Sequence, residues 1–301
     1  MNRKDLDWNL YHSFLAVMRE GSLSAAARAL GLTQPSIGRH IDSLESALDA
    51  TLFTRAPDGL RPTPMALALL PCAEAMASAA QHAARVASAS EQETRGSVRL
   101  TASQLIGGEV LPSILAAFCQ QHPQISVELV LSNHNDDLLK READIAVRMQ
   151  RPTQQALVAK RLGSIEIGAF AHQRYIQQRG LPRNLLELRE HLLIGPDQDS
   201  ASNKLLEQRG LHFNPEDFAL RTDSDLAQLA ALRAGLGIGG CQWGLARRDP
   251  ALLAVLPEQL NFSLEMWLVT QTGLRNNHRV MTLFDFLASE LTRYADTCKR
   301  D

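Results

Sequence analysis

The chain has 301 residues, of which 45% are hydrophobic and 21% are charged, and its net charge is −2. This length predicts two or three domains with a sizeable core, and this composition excludes a disordered or fibrous protein. The near-neutral charge excludes binding to polyanions through bulk electrostatics alone. Because no apolar run approaches the roughly 18 residues of a membrane span, we expect no membrane association.

The N-terminus and the cysteines indicate a cytoplasmic protein. Asp5 and Asp7 stand where a secretory signal would become apolar, so we expect no export signal. The four cysteines lie far apart and form no CxxC pair, which is typical of a reducing compartment. The histidines form no metal-spaced pair and no serine lies in a GxSxG motif. We therefore expect no metal site, no cofactor and no enzyme activity.

Helical patterns that glycine and proline interrupt occupy residues 1–62. Apolar residues recur at helical spacing from Leu10 to Met18, and Gly21 ends this pattern as a C-cap glycine does. A later helix begins after Thr33, which is a good N-cap, with Pro35 just inside its first turn. The sequence therefore predicts two helices with a short segment between them.

That segment, over residues 25–30, favours a helix-turn-helix. Ser22 or Ser24 can cap a short helix there, and the small Ala26 and Ala27 allow a neighbouring helix to cross closely. In this motif the last helix enters the major groove of DNA with its N-terminus first. Helix pairs joined by a glycine turn also occur in bundles, so the spacing alone leaves DNA binding and a purely structural role open.

The charges of residues 1–62 cancel, with seven cationic and seven anionic side chains. Any affinity for DNA therefore depends on where these charges lie. The start of the last helix has suitable chemistry, because Gln34 can pair with adenine and Arg39 can pair with guanine. Hydroxyl groups near a helix N-terminus can also bind phosphates.

Four motifs in this region are gap-free in their spacing: Ala26-Ala27-x-x-Leu30, Thr33-Gln34-Pro35-Ser36-Ile37-x-Arg39-x-Ile41, Leu44-Glu45 and Leu52-Phe53-x-Arg55. In these motifs the chain resembles the LysR-type transcriptional regulators. The resemblance implies a winged helix-turn-helix DNA-binding domain over residues 1–62, whose wing, at about 56–62, approaches the minor groove. The candidate DNA-binding residues are Thr33, Gln34, Pro35, Ser36, Gly38, Arg39, His40, Arg55 and Arg61.

The chain departs from the family pattern at several positions. Gly38 stands where a serine is usual, which removes a hydroxyl donor and costs up to ~1 kcal/mol of helix propensity. Asp58 lies in the wing where a basic residue is usual, so Arg61 is the substitute candidate there. Asp49 takes the place of a glycine after the last helix. These departures keep open an alternative, a metabolite-binding module whose DNA-binding domain is degenerate.

Residues 63–92 are rich in alanine and predict a long linker helix. Pro71 is expected to kink or break its first turns. Its apolar stripe consists of Leu67, Leu70, Met76, Ala80, Ala83 and Ala87. The helix either packs on its own chain or pairs with a second copy, and the resemblance implies the second. Dimerisation, or assembly into a tetramer, would bind double-stranded DNA at an operator with inverted-repeat half-sites.

From residue 93 to 301 strand-like and helix-like segments alternate, which predicts an α/β fold. The motifs LPxxLxxFxxxHPxI, over residues 111–125, and ADIAVR, over residues 143–148, extend the resemblance to a two-lobed, periplasmic-binding-protein-like effector domain. Lobe I would comprise about 97–165 and 269–301, and lobe II about 166–268. A short helix is expected at 137–141. The resemblance implies a small-molecule effector between the lobes.

Polar residues at the ends of the predicted strands are the candidates for effector binding, because ligands in open α/β sheets lie at the carboxyl ends of strands. Together with their neighbours they are Ser103, Gln104, Leu105, Ser132, Asn133, Arg148, Met149, Asp197 and Thr222. Each hydroxyl group could instead cap a helix. Arg148 either pairs with an anionic effector or forms a structural ion pair with Asp144 or Glu142, and the sequence leaves both open.

Two further features receive no functional prediction. Residues 235–240 match GxGxxG, but a helix precedes the glycines and a strand follows them, which is the wrong order for dinucleotide binding. The glycines are expected to end a helix and to allow a tight crossing. Cys241 is expected to be a buried small hydrophobe, because no resolving partner for a redox switch can be assigned from the sequence.

Overall fold

The computed structural model describes residues 7–56, 59–87, 95–133, 143–152, 157–197, 207 and 213–300. These residues form two compact units, one that ends at residue 87 and one that begins at residue 95. Each unit has its own hydrophobic core. Within the described ranges, no helix combines the length and the apolar character that a membrane crossing requires.

The first unit is the predicted winged helix-turn-helix, followed by the linker helix. Its elements are α1 (Trp8–Glu20), α2 (Leu23–Leu30), α3 (Gln34–Leu48), β1 (Phe53–Ala56), β2 (Gly59–Pro62) and α4 (Pro64–Ala87). The strands β1 and β2 pair as an antiparallel hairpin, which forms the wing. The helix α2 begins earlier than predicted, because Ser22 and not Ser24 caps it by accepting a hydrogen bond from the Ala25 N–H.

Small side chains allow the three helices of this unit to pack closely. Ala26 and Ala27 of α2 are buried, as the crossing of helices requires. They share one core with Phe14 of α1 and with Ile37 and Leu44 of α3. Residues three and four apart on α3 therefore face the core, and the polar residues between them remain at the surface.

The linker helix α4 packs on its own unit with one face only. Ala66 and Ala73 are fully buried in the core beside α1. Outside this buried face, Met65, Leu67 and Met76 are 53%, 55% and 38% exposed. Packing on its own chain thus accounts for the buried alanines, and the large apolar side chains stay uncovered in the single chain.

The second unit is a mixed α/β fold, as predicted. Its strands are β3 (Gly96–Ala102), β4 (Ile125–Leu131), β5 (Ile145–Arg148), β6 (Leu157–His172), β7 (Leu193–Gly195), β8 (Phe218–Arg221), β9 (Ile238–Gln242), β10 (Leu252–Val255) and β11 (Asn261–Gln271). Its helices include α5 (Leu111–Gln121), α6 (Gln173–Arg179), α7 (Asp225–Arg233), α8 (Trp243–Ala246) and α9 (His278–Thr297). The helix expected at 137–141 lies outside the described residues.

Two long strands join the two halves of the sheet. Every residue of β11 pairs antiparallel with a residue of β6, and the register shifts between Met266 and Trp267. The C-terminal half of β11 also pairs with β5, and the C-terminal half of β6 pairs with β9. A first lobe around the parallel strands β3, β4 and β5 is thereby joined to a second lobe around β7, β8 and β9.

The last helix returns to the first lobe. Asn277 caps α9 by accepting a hydrogen bond from the Val280 N–H. The apolar face of α9, which includes the fully buried Leu283 and Leu287, packs against β3, α5 and β6. Phe286 lies beside Phe118 of α5, with their ring centroids 5.3 Å apart. The C-terminal segment therefore completes the core that begins at β3.

The glycine-rich segment 235–240 ends α7 and leads into β9, in the order that the sequence predicts. Gly235 adopts the left-handed conformation (φ +80°). The next N–H, of Leu236, donates to the Ala231 carbonyl oxygen at 3.1 Å, as in a Schellman motif. Because β9 follows at Ile238, the glycines do not open a helix, and their geometry does not support dinucleotide binding.

Gly237 has a second, steric requirement, which a matched pair of variants tests. A Cβ at this position would lie 2.2 Å from the Leu192 carbonyl oxygen, whereas a Cβ at Gly240 would meet no heavy atom within 4 Å. We expect Gly237→Ala to lower the free energy of unfolding by about 2–3 kcal/mol, because backbone must move. Gly240→Ala should change it by less than about 0.5 kcal/mol. Urea unfolding followed by tryptophan fluorescence measures both, and equal midpoints would contradict the steric explanation.

Candidate functional site

The first turn of α3 is an exposed surface without acidic residues. Thr33, Gln34, Pro35 and Arg39 are exposed, and α3 has no carboxylate in its first turn. The positive end of the helix dipole is therefore not neutralised there. A Cβ at Gly38 would meet no heavy atom within 4 Å, so this glycine leaves open space on the same surface. Such an end of a helix is suited to phosphate oxygens and base edges.

Hydrogen bonds order the side chains of this surface. The hydroxyl groups of Thr33 and Ser36 are 2.8 Å apart, and Thr33 also accepts from the Ser36 N–H at 3.3 Å. The Ser24 hydroxyl of α2 donates to Gln34 Oε1 at 3.0 Å. The amide nitrogen of Gln34 therefore has a fixed direction, which reduces the conformational entropy lost on binding a partner.

His40 has a different environment from the other candidates. Its Nδ1 lies 2.7 Å from the hydroxyl oxygen of Ser13, which is buried in α1. The imidazole ring thus connects α3 to α1 inside the unit. The structure gives the imidazole ring a hydrogen bond between two helices, which the helical pattern of the sequence does not reveal.

The wing is fastened to α3 by a carboxylate. Glu45 Oε1 accepts hydrogen bonds from the backbone N–H groups of Leu52 and Phe53, at 2.6 and 3.1 Å. Arg61 is exposed on β2, opposite Thr54 of β1. The side chain of Arg55 and the turn that contains Asp58 lie outside the described residues. The two contacts of Glu45 fix where the hairpin begins after α3, and sequence reasoning missed this role.

The second unit encloses a cavity of about 570 Å³ at the carboxyl ends of the parallel strands. It brings together six of the predicted effector-binding residues, which come from three strand ends: Ser103, Leu105, Ser132, Asn133, Arg148 and Met149. The volume is typical of a site for a small organic molecule. Strand ends that are distant in the sequence therefore meet in one place.

The other three predicted residues do not line this cavity. Gln104 Oε1 accepts a hydrogen bond from the Ser224 hydroxyl at 3.1 Å, and Thr222 Oγ1 accepts one from the Ser224 N–H at 3.2 Å. Asp197 Oδ1 is 3.6 Å from a guanidinium nitrogen of Arg221. All three side chains thus have contacts that shape the turns around the cavity.

Arg148 is a buried cation in the cavity wall. It is 5% exposed, and its guanidinium donates to the Val147 carbonyl oxygen and to the Thr101 hydroxyl, each at 3.1 Å. Asp144, one proposed structural partner, accepts a hydrogen bond from the backbone N–H of Arg99 at 2.8 Å. The other, Glu142, lies outside the described residues. The contacts with neutral oxygens orient the cation while it lines the cavity.

Asp225 is a cavity residue that sequence reasoning missed. It begins α7 and accepts a hydrogen bond from Asn133 Nδ2 at 2.9 Å. Burial raises the pKa of its carboxyl group, and the contact with Asn133 opposes this shift. A helix cap followed by an acid after a strand, Ser224-Asp225, was the available signal. The contact joins the first lobe to the second across the cavity.

An ion pair is a second contact between the lobes. Arg233 of α7 donates two hydrogen bonds to the carboxylate of Glu109, at 2.9 and 2.8 Å. This contact lowers the pKa of Glu109 below its ordinary value. Close by, a Cβ at Gly108 would lie 2.8 Å from the Leu226 side chain, so the glycine allows α7 to approach.

Comparison with family models identifies both units. A model described as "LysR substrate binding domain" matches residues 91–292, which is more than half of the chain. A second, described as "Bacterial regulatory helix-turn-helix protein, lysR family", matches residues 8–67. The first match lies on the second unit, which contains the cavity. The second match lies on the first unit, which contains the exposed start of α3.

Individual proteins give the same result. The chain is 26% identical over 283 residues to the probable HTH-type transcriptional regulator LtrA of Klebsiella pneumoniae. The aligned segment covers 91% of this chain and 92% of that protein. It is 28% identical over 215 residues to an HTH-type transcriptional regulator of Xanthomonas campestris, which covers 71% of this chain but only 60% of that protein. The solved structure of full-length CbnR complexed with its target DNA has the same fold, with a TM-score of 0.64, 19% identity and coverage of 94% and 99%.

The chemical reactivity of Cys241, the cysteine in the cavity wall, tests the geometry of the cavity. Cys241 is 1% exposed, and burial raises the pKa of its thiol to about 12. Since the thiolate is the reactive form, we expect iodoacetamide at neutral pH to modify the exposed Cys72 and Cys119 long before Cys241. Peptide mass spectrometry after timed labelling measures the order. Equal rates for Cys241 and Cys119 in the native protein would show that the thiol is accessible and activated.

Proposed function

The chain belongs to the LysR family of bacterial transcriptional regulators, and we propose that its α3 contacts operator DNA under the control of an effector in the cavity. Members of this family are regulators and not enzymes. The observation that supports the DNA-binding role most directly is the exposed start of α3, which is free of carboxylates in its first turn and ordered by hydrogen bonds.

The proposed DNA contacts divide into base and phosphate contacts. Gln34 and Arg39 face the bases, because their side chains can pair bidentately with adenine and guanine. Thr33 and Ser36 face phosphates at the N-terminus of the helix, beside Pro35 and Gly38. Arg55 and Arg61 of the wing contact the backbone or the minor groove. His40 positions α3 through Ser13.

The proposed assembly is a homodimer, or a tetramer built from dimers, through α4. The exposed Met65, Leu67 and Met76 support it, because a second copy could cover them. The corresponding division of the chain is 1–62 for DNA binding, 63–92 for the linker and 93–301 for effector binding. Two recognition helices would then contact an operator with inverted-repeat half-sites in the cytoplasm, where bacterial DNA lies.

The proposed effector site is the cavity of the second unit. Ser103, Ser132 and Arg148 would bind a polar or anionic group, and Leu105 and Met149 would contact the rest of the molecule. Asn133, whose side chain already bonds to Asp225, positions the opposite lobe. Binding would shift the two lobes, or the pairing of subunits in the dimer, and so change the half-site spacing or the bend of the DNA.

The alternative is a metabolite-binding module whose DNA-binding domain is degenerate. The balanced charges of residues 1–62 favour it. The two functions differ in their dependence on salt, because phosphate contacts release counterions and weaken steeply as salt rises.

Selection of genomic fragments by the purified protein at two salt concentrations separates them. An enriched inverted repeat, retained at the lower salt concentration and weakened at the higher, is expected of the regulator. Uniform weak binding without any enriched sequence would support the degenerate module instead.

Arg39→Ala tests the assignment of a base contact. It should weaken binding to the selected operator by about 1–3 kcal/mol and relax specificity at one base pair. Arg19→Ala, at an exposed position on α1, is the matched control and should leave binding nearly unchanged. Fluorescence anisotropy with operator variants measures both effects. Equal weakening on every sequence would instead make Arg39 a phosphate contact.

A further inference from the structure

The cavity has a specific distribution of charge, and the following inference rests on its proposed role as the effector site. Among the described residues that line it, two side chains are charged, Arg148 and Asp225. The guanidinium of Arg148 keeps its charge at any physiological pH. A ligand that brings one anionic group can therefore lie beside a permanent cation in a poorly hydrated place, where a charge–charge attraction is strong.

Among the described residues of this lining, a second anionic group on the ligand would find no second cation. It would instead face the carboxyl group of Asp225, which Asn133 holds in the wall from the opposite lobe. Two carboxylates in a buried site destabilise each other unless a proton or a cation intervenes. Asp225 thus provides a physical reason to reject acids that carry a second carboxylate.

The rest of the wall is mainly apolar. Its side chains include Ile194, Phe213, Phe218, Ile238, Phe262 and Leu264. Phe213 and Phe218 contact each other, with ring centroids 5.8 Å apart. A small polar ligand would leave this surface in contact with water, whereas an apolar body would displace that water at a gain of about 25 cal/mol per Å² buried.

Two polar side chains of this apolar half, Gln228 and Gln242, are already hydrogen-bonded within the protein. Gln228 Nε2 donates to the Thr222 carbonyl oxygen at 2.7 Å, and Gln242 Oε1 accepts from the Tyr294 hydroxyl at 2.5 Å. The hydroxyl groups of Ser103 and Ser132 lie at the strand ends with Arg148, in the first lobe. Polar recognition therefore concentrates at the first lobe, and the second lobe offers mainly apolar contact.

We propose that the effector is an amphipathic organic acid with a single carboxylate and a large apolar body, and that Asp225 excludes a second carboxylate. The single carboxylate lies at Arg148, and the apolar body lies against the phenylalanines of the second lobe. Arg148 is then a ligand-binding residue, and Asp225 is the specificity-determining residue of the same cavity.

A matched series of acids tests the class of ligand. Octanoate and butanoate differ by four methylene groups, octanoate and octanamide differ by the charge, and octanoate and suberate differ by a second carboxylate. Isothermal titration of the full chain should give the tightest binding for octanoate. Butanoate should be at least about tenfold weaker, because each buried methylene contributes up to roughly fourfold in affinity. Octanamide and suberate should each be at least about tenfold weaker than octanoate.

Two substitutions assign the roles. Asp225→Asn retains a side chain that can bond to Asn133, and it should raise the affinity for suberate relative to octanoate about tenfold. Glu216→Gln, at an exposed acid of the same lobe that does not line the cavity, should leave this ratio unchanged. Arg148→Met should remove the preference for octanoate over octanamide, and Arg148→Lys should retain it. Circular dichroism shows whether each variant is folded. If Arg148→Met does not fold, the comparison of Arg148→Lys with the wild type still tests whether a cation at this position gives the preference for octanoate.

The proposal is overturned if octanoate does not bind at millimolar concentration, if suberate or butanoate binds wild-type protein as tightly as octanoate, or if Asp225→Asn leaves the suberate-to-octanoate ratio unchanged. Failure of the proposed regulator function would appear in a different experiment, the selection of DNA fragments. Fragment selection without the acids reports DNA binding, so a protein that enriches an operator but binds none of the acids keeps its function and loses this ligand class. A protein that binds octanoate but enriches no operator keeps this ligand class and loses the regulator function.

Discussion

The antiparallel pairing of β6 with β11 is the constraint on which the ligand-binding unit depends. Each strand contributes one half to the first lobe and the other half to the second, so the two lobes share a continuous hydrogen-bonded ladder. The carboxyl ends of β3, β4 and β5 then face the second lobe, and the space between them is the cavity. Without this ladder, the residues from three separate segments would not surround one ligand.

Side-chain contacts add a second connection between the lobes, and one of them lies at the edge of the cavity. Asn133 bonds to Asp225, and Glu109 forms a bidentate ion pair with Arg233. A ligand that contacts Asp225 therefore acts on a hydrogen bond that spans both lobes. An effector can shift the equilibrium between lobe arrangements only by binding one of them more tightly, and this edge is where such a difference would arise. In this proposal, the same residue links ligand specificity with control.

In the DNA-binding unit, the family motifs have structural reasons as well as functional ones. Glu45 holds the start of the wing through two backbone N–H groups, and Thr63 caps α4 by accepting from the Ala66 N–H at 3.2 Å. Asp49 ends α3 in the left-handed conformation (φ 50°), where the family usually has glycine. Aspartate is one of the few non-glycine residues that tolerate this conformation, so the departure from the pattern preserves the turn.

Local features of this protein follow from short stretches of its sequence. The caps Ser22 and Thr33, the small Ala26 and Ala27 and the glycine turn at 235 were predictable, because each depends on neighbours within a few residues. The same holds for the motifs of the recognition helix and for the strand ends that supply the cavity.

Contacts between residues that are distant in the sequence depend on the tertiary fold. The length of β6 was not predicted, because its half-buried residues give no clear alternation. Neither Asp225 beside Asn133 nor His40 beside Ser13 could be assigned from spacing. The separation of Gln104, Asp197 and Thr222 from the cavity was equally hidden, because a residue at a strand end can face the ligand or the turn beside it. That choice depends on how the long strands β6 and β11 place the two lobes. This placement is a long-range property with no local signal in the sequence.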